Sequence, residues 1–247
     1  MKIINKLYKG EVELVFESTK HQYFTNGKLV PGCTTVLGVI GKPFLVPWAA
    51  KVTVEAMAEL FQPGISYDEI QIQQMLETAK KSHYQKKTDA GAIGTLVHRW
   101  LEQYIMGENP PMIVHEEARK AAERFLDWVK KDKVTFRLNE QQVFSRKMNV
   151  CGTLDFVCEI DGKLWLGDIK TSNAIYKTEY GAQMSCYRMC RTEEYPEEKY
   201  AGEILVRVGK QDGEFEIWKI EDNEMDKYDE LFINALNLYN SIKKVDA

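Results

Sequence analysis

No uninterrupted apolar run among the 247 residues approaches the roughly 20 needed to cross a bilayer, and no secretory leader follows Met1-Lys2-Ile3. The expectation is therefore a protein with neither a membrane partner nor an export signal. Cysteine is scarce and odd in number: Cys33, Cys151, Cys158, Cys186 and Cys190 contain no C-x-x-C pair, which argues against a disulfide framework and a zinc ribbon. These read as reduced thiols of a cytoplasmic or otherwise intracellular compartment. Excess positive charge is also missing, since 33 Lys+Arg against 37 Asp+Glu leave a net charge of −4. A general basic coat for nucleic acid is excluded, although a local basic groove is not. The chain has no internal repeat and no low-complexity segment. What it does have is 44% hydrophobic residues, ample for a core that needs neither disulfide nor structural metal.

The informative stretch is Val150–Ile160 followed by Lys163–Thr171, two runs rich in apolar and β-branched residues with only Asp161-Gly162 between them. Asp-Gly in that setting is the strongest short-range hairpin signal. A two-residue turn pairs Ile160 with Lys163, and the same register carried back pairs Asp155 with Asp168. Directly opposed side chains stand roughly 4.5–5.5 Å apart, and like charges there are destabilising. Lys170 points to the same face as Asp168. Solvated charges on an open sheet face are one account of the three residues. The other is a covered site, since Val157, Leu164 and Leu166 share that face, and a hard divalent cation held by carboxylate oxygens would relieve the repulsion. Without metal, neutralising one acid should then raise stability.

Elsewhere, Val12–Phe16 and Gln22–Val30 suggest a small hairpin with a further turn at Asn26-Gly27. A helix is expected from about Phe44 to Phe61, stopped by Pro63-Gly64, and a polar one from Tyr67 to Lys87. The second carries Lys80, Lys81, Lys86 and Lys87, either a solvated face or a track for phosphates. From Asp89 to Met106, Ile93, Leu96, Val97, Trp100, Leu101, Tyr104 and Ile105 form a helical apolar stripe. His98 falls on its rim with Glu102 one turn on. A rim histidine can be simply packed, or it can be a third ligand beside the acidic pair. A helix over Glu116–Lys131, a strand over Val134–Ser145, a helix over Thr178–Arg191, strands over Ala201–Val208 and Glu214–Ile220, and a helix over Asp222–Ile242 complete the chain.

Four segments in order, Gly94-Thr95-Leu96-Val97-His98 with Glu102, Gly152-Thr153-Leu154-Asp155, Asp168-Ile169-Lys170 and Gln183-Met184-Ser185-Cys186-Tyr187, resemble the RecB-like exonuclease branch of the PD-(D/E)XK nuclease superfamily. The stretch from His21-Gln22-Tyr23 through Pro43 to Lys51 is similar to phage and mitochondrial exonucleases of that branch. The chain departs from the superfamily pattern with Leu154 where proline gives the family its name and with Asp168 where glutamate is more frequent. The resemblance implies an α/β fold, a central mixed sheet flanked by helices as in restriction endonucleases, with a mainly helical N-terminal elaboration. It divides the chain into an N-terminal region, residues 1–90, which would form a substrate channel, and a nuclease core, residues 91–247. By the same resemblance, His98, Asp155, Asp168 and the Ile169 carbonyl are metal ligands. Lys170 positions or activates water, Gln183 and Tyr187 support the site and contact nucleic acid, and Glu102 is a supporting residue. The implied cofactor is Mg²⁺, replaceable by Mn²⁺. Some relatives hold an iron–sulfur cluster through cysteines near the C-terminus, but no cysteine follows Cys190, and no cluster is expected.

The resulting expectation is a metal-dependent DNA exonuclease that works from a free end, prefers single strands, and serves recombination, repair or replication. Trp48, Lys51, Arg99, Thr171 and Ser172 are the candidate DNA contacts. A structure-specific or restriction-like endonuclease is the alternative within the same chemistry, and a non-catalytic nucleic-acid-binding protein is the alternative outside it.

Overall fold

A computed structural model describes residues 2–246. The chain divides into two compact units, one comprising residues up to Ile40 together with those from Val97 onward, the other Gly41–Leu96.

In the first unit, β1 (Lys2–Leu7), β2 (Val12–Glu17), β3 (Gln22–Thr25) and β4 (Lys28–Val30) form an antiparallel sheet in chain order. Asn26 and Gly27 both take positive φ, 50° and 73°, between the pair Thr25↔Lys28, the tight turn that Asn-Gly encodes. Strand β1 was not expected. Only Leu7 of its six residues is buried, so this edge strand lacks the alternation that marks a half-buried one.

The same unit holds a mixed α/β core whose sheet runs β5 (Thr135–Ser145), β6 (Val150–Ile160), β7 (Lys163–Lys170), β8 (Tyr200–Val208), β9 (Phe215–Glu221). All neighbours are antiparallel except β7 and β8, which run parallel and are joined through α5 (Lys177–Glu194). Adjacent residues of a strand face opposite ways. Accordingly Phe156 meets Phe136, which stacks with Phe125 of α4 (Glu116–Lys131), while the next residue, Val157, joins a cluster with Met184 and Ala182 of α5. Phe232 of α6 (Asp222–Val245) belongs to that second cluster. Helix α4 begins on His115, whose Nδ1 accepts from the Ala118 amide. It has Glu116 and Glu117 in its first turn and Lys130 and Lys131 in its last, charges that suit its dipole.

The small sheet is held to the large one. Phe144 and Cys151 share a core with Leu7, Leu14, Tyr23 and Val30, and the Cys151 amide donates to the Pro31 carbonyl at 3.1 Å. The short α1 (Cys33–Leu37) buries Cys33, Val36 and Leu37 in the core that also contains α5.

The second unit contains α2 (Leu45–Leu60), which ends just before Pro63-Gly64. The two helices expected over Tyr67–Lys87 and Asp89–Met106 are instead one, α3 (Glu69–Ile105), 37 residues long. No proline interrupts it, and Gly91 and Gly94 cost only about 1 kcal/mol each in a helix, too little to end one. Along α3, Val97, Trp100 and Leu101 are buried as their spacing implied, but Leu96 is 52% exposed. At 100° per residue Leu96 lies a quarter-turn and more from the centre of the stripe.

Candidate metal centre and cleft

Strands β6 and β7 carry the acids, and their turn is as expected: Asp161 and Gly162 have φ of 51° and 74°, and Ile160 pairs with Lys163. The ladder continues to Phe156↔Gly167 and stops there. Asp155 and Asp168 come next in that register but are not paired. The Asp155 carboxylate takes over the ladder's role, its Oδ2 accepting the Ile169 amide at 2.6 Å. In extended backbone the N–H and C=O of one residue leave by the same edge, so the Ile169 carbonyl also faces the opening where Asp155 lies. Gly167 is required by this arrangement, since a Cβ there would lie 2.0 Å from the Phe156 ring.

Each acid has its own counter-charge, which removes the premise that neutralising one would stabilise the metal-free fold. Asp168 is 1% exposed, and the Lys170 ammonium stands 2.5 Å from its Oδ2. The two form a buried, charge-assisted ion pair. Burial pushes the Asp168 pKa up against the pull of Lys170. Burial would discharge Lys170, but Asp168 and Asp155 outweigh it and hold the ammonium above the ordinary lysine range. Lys170 also lies 5.1 Å from the centre of the Tyr180 ring. Beneath the pair, Gln183 Nε2 donates to Tyr187 Oη at 2.8 Å and reaches Asp168 Oδ1 at 3.5 Å. The i, i+4 spacing on α5 makes this possible. Tyr187 packs where Gly152 leaves room, since a Cβ at Gly152 would fall 2.4 Å from the tyrosine ring.

His98 reaches the same place from α3. Its Nδ1 lies 2.5 Å from Glu102 Oε1 and its Nε2 3.2 Å from Asp155 Oδ2. Burial opposes charge on the ring, yet hydrogen bonds to Asp155 and Glu102 raise its pKa to about 10, so it is an imidazolium in the metal-free protein. Glu140 completes the group and was missed from sequence. The pairs Asn139↔Phe156 and Gln141↔Leu154 leave it opposite Asp155, and its φ of 48° is an uncommon conformation for a residue other than glycine. The connection from Ser145 to Val150 carries no Asn-Gly or Asp-Gly, so the β5–β6 register could not be read in advance. Reduced hydration in the cleft, with Asp155 and Glu102 nearby, raises the Glu140 pKa to about 8.

These residues fit a hard divalent cation. His98, Glu102 and Glu140 can each bring a ligand atom within 4.8 Å of the others. Asp155 adjoins that group through His98, and the buried Asp168 is paired with Lys170. A cleft of about 270 Å³ is lined by His98, Glu140, Asp155, Gln183 and Tyr187 and also by Phe16, His21 and Tyr23.

The remaining candidates are Trp48, Lys51, Arg99, Thr171 and Ser172. Trp48 and Lys51 are in the Gly41–Leu96 unit, with Lys51 3.7 Å from Glu55. Arg99 is exposed on α3. Ser172 Oγ donates to the Ala174 carbonyl, and the Ser172 carbonyl accepts from the buried Arg207. Thr171 begins the same loop, half-buried.

No family model matches the chain, and no curated protein is similar to it. Among solved structures, one from Eubacterium rectale described as "Putative exonuclease" is 14% identical over 60% of this chain and 68% of that one, with a TM-score of 0.38. The structure of SSO0001 is 13% identical over 76% of this chain and 85% of that one, with a TM-score of 0.33. At those scores neither likeness bears on what the chain does.

Proposed function

We propose that the protein is a metal-dependent phosphodiesterase acting on DNA, an exonuclease of the PD-(D/E)XK kind that its motifs resemble. The observation that carries this is the meeting of His98, Asp155, Asp168 and Lys170, drawn from a helix and two strands, where the β6–β7 ladder opens. A bound Mg²⁺ or Mn²⁺ would neutralise charge on the phosphate and provide a hydroxide-like water at neutral pH. His98, Asp155, Asp168 and the Ile169 carbonyl would hold it, with Glu140 and Glu102 close by. Glu102 fixes the imidazole through Nδ1 and leaves Nε2 for the cation, the usual carboxylate–histidine arrangement. Lys170, held as an ammonium by Asp168 and Asp155 in the metal-free protein, would position or activate the attacking water. Gln183 and Tyr187 hold Asp168 in place from below.

End-labelled linear DNA and the same strand circularised, incubated with and without Mg²⁺, test this. Metal-dependent loss of the linear strand with survival of the circle is expected. Rapid loss of the circle would make the protein an endonuclease, and binding without cleavage in any metal would make it a non-catalytic binder.

A further inference from the structure

The cleft has a second set of lining residues that hydrolysis does not use. Phe16 on β2, His21 in the β2–β3 turn and Tyr23 on β3 line it together with His98, Glu140 and Asp155. Phe16 stacks on Tyr23 with ring centres 4.6 Å apart, and the His21 ring meets Phe16 edge-on at 5.1 Å. Tyr23 is the buried anchor, its hydroxyl 2.9 Å from Thr153 Oγ1 on the strand that carries Asp155. The rings are thereby fixed in register with the acid site, while Phe16 stays half-buried and His21 exposed. His21 has a φ of 51°, which Asn or Gly adopts with less strain, and what stands there instead is an aromatic ring at the mouth of the cleft.

The two sets differ in what they can recognise. One set gathers carboxylates and an imidazole suited to a cation and the phosphate it would bind; the other offers flat π surfaces, its tyrosine hydroxyl already engaged. A planar group close to a phosphate is a nucleobase. The cleft, at about 270 Å³, falls just under the roughly 300–1,000 Å³ of small-molecule sites, which leaves room for one such group. A base within a duplex has both faces covered by its neighbours, whereas an unstacked base has a face to offer. We infer that Phe16 and His21 form a stacking subsite for one unpaired nucleobase beside the scissile phosphate. This rests on the phosphodiesterase reading and narrows its substrate to strands with at least one unstacked nucleotide. Stacking engages a π face that every base possesses, so the subsite confers no base preference.

Short single-stranded oligodeoxynucleotides carrying 2-aminopurine at successive positions, bound to Lys170→Ala protein in Mg²⁺, report the stack without cleavage. Fluorescence should be quenched at one position. His21→Asn, which suits the turn but removes the ring, should abolish the quench and raise Kd about tenfold, the size of one base–aromatic stack. His21→Tyr should restore both, and Phe16→Leu should behave like His21→Asn. With Lys170 intact, His21→Asn should raise KM far more than it lowers kcat, and an abasic nucleotide at the quenched position should erase the difference from wild type. A quench indifferent to both substitutions, or an equal penalty on the abasic strand, overturns the subsite while leaving normal cleavage to support the hydrolytic reading. Quench and loss of quench in a protein that cleaves no strand would have the opposite meaning.

Discussion

At the scale of single residues the site is a set of charges that compensate one another until a cation arrives. Asp168→Asn should reduce cleavage to below a few per cent of wild type and also lower the metal-free melting temperature, because it leaves the Lys170 ammonium without its partner. Breaking a buried pair costs roughly 3–5 kcal/mol, and the 19% exposure of Lys170 reduces that figure. Lys170→Ala should abolish cleavage likewise; activity comparable to wild type in either variant would remove both residues from the chemistry. His98 makes the metal-free fold sensitive to pH. Its pKa is about 10 in the fold against 6.5 for an ordinary imidazole, so its stabilising contribution is complete below about 6.5 and is lost as pH rises through about 10. Glu140, raised to about 8 from 4.5, adds a loss with the same sign at lower pH. The melting temperature in EDTA should therefore fall as pH is raised from about 6.5 to 10, and His98→Gln should flatten the upper part of that curve. A wild-type curve that is level over the interval would contradict the imidazolium. A cation takes the neutral ring, so metal affinity should rise with pH and binding at neutral pH should release a proton, measurable as a buffer-dependent heat.

At the scale of elements, glycines separate places where a side chain has no room from places where it is merely absent. Gly152→Ala on β6 would drive a methyl group into Tyr187, displacing the residue that anchors Gln183 beneath Asp168. The expected cost is about 1–3 kcal/mol of stability, together with a drop in kcat. Gly91→Ala, by contrast, meets nothing within 4 Å in the middle of α3. It should raise stability by roughly 0.5–1 kcal/mol, since glycine is the poorer helix former. Denaturant midpoints of the two variants should move in opposite directions, and a shift of the same sign would mean that the Tyr187 ring yields freely or that α3 bends at Gly91.

For the whole molecule, a cation that binds only the folded chain adds stability by mass action. At a hundred times Kd the gain is about 2.7 kcal/mol, which for a chain of this size is roughly 5–11 °C in melting temperature. Mn²⁺ should produce such a rise, EDTA should reverse it, and His98→Ala should need far more Mn²⁺ to reach it. An equal rise in His98→Ala would move the cation elsewhere.

Sequence alone determined the parts of this protein that are set by local chemistry. Asp161-Gly162 and Asn26-Gly27 specified their turns because both residues of such a turn take positive φ, and the turn then fixed the register up to Phe156↔Gly167. Periodicity gave the limits of α4, and order and spacing brought Asp168, Lys170, Gln183 and Tyr187 under consideration together. Where the ladder would stop was beyond it, because Asp155 leaves the pairing to bond the Ile169 amide, a choice between two hydrogen bonds that only the packed strands make. So was Glu140, placed opposite Asp155 by a register with no turn signal to announce it. The wall of Phe16, His21 and Tyr23 was hidden for a further reason. Its hairpin joins β6 through Pro31 and Thr153, contacts more than a hundred residues apart in the chain that no local pattern records.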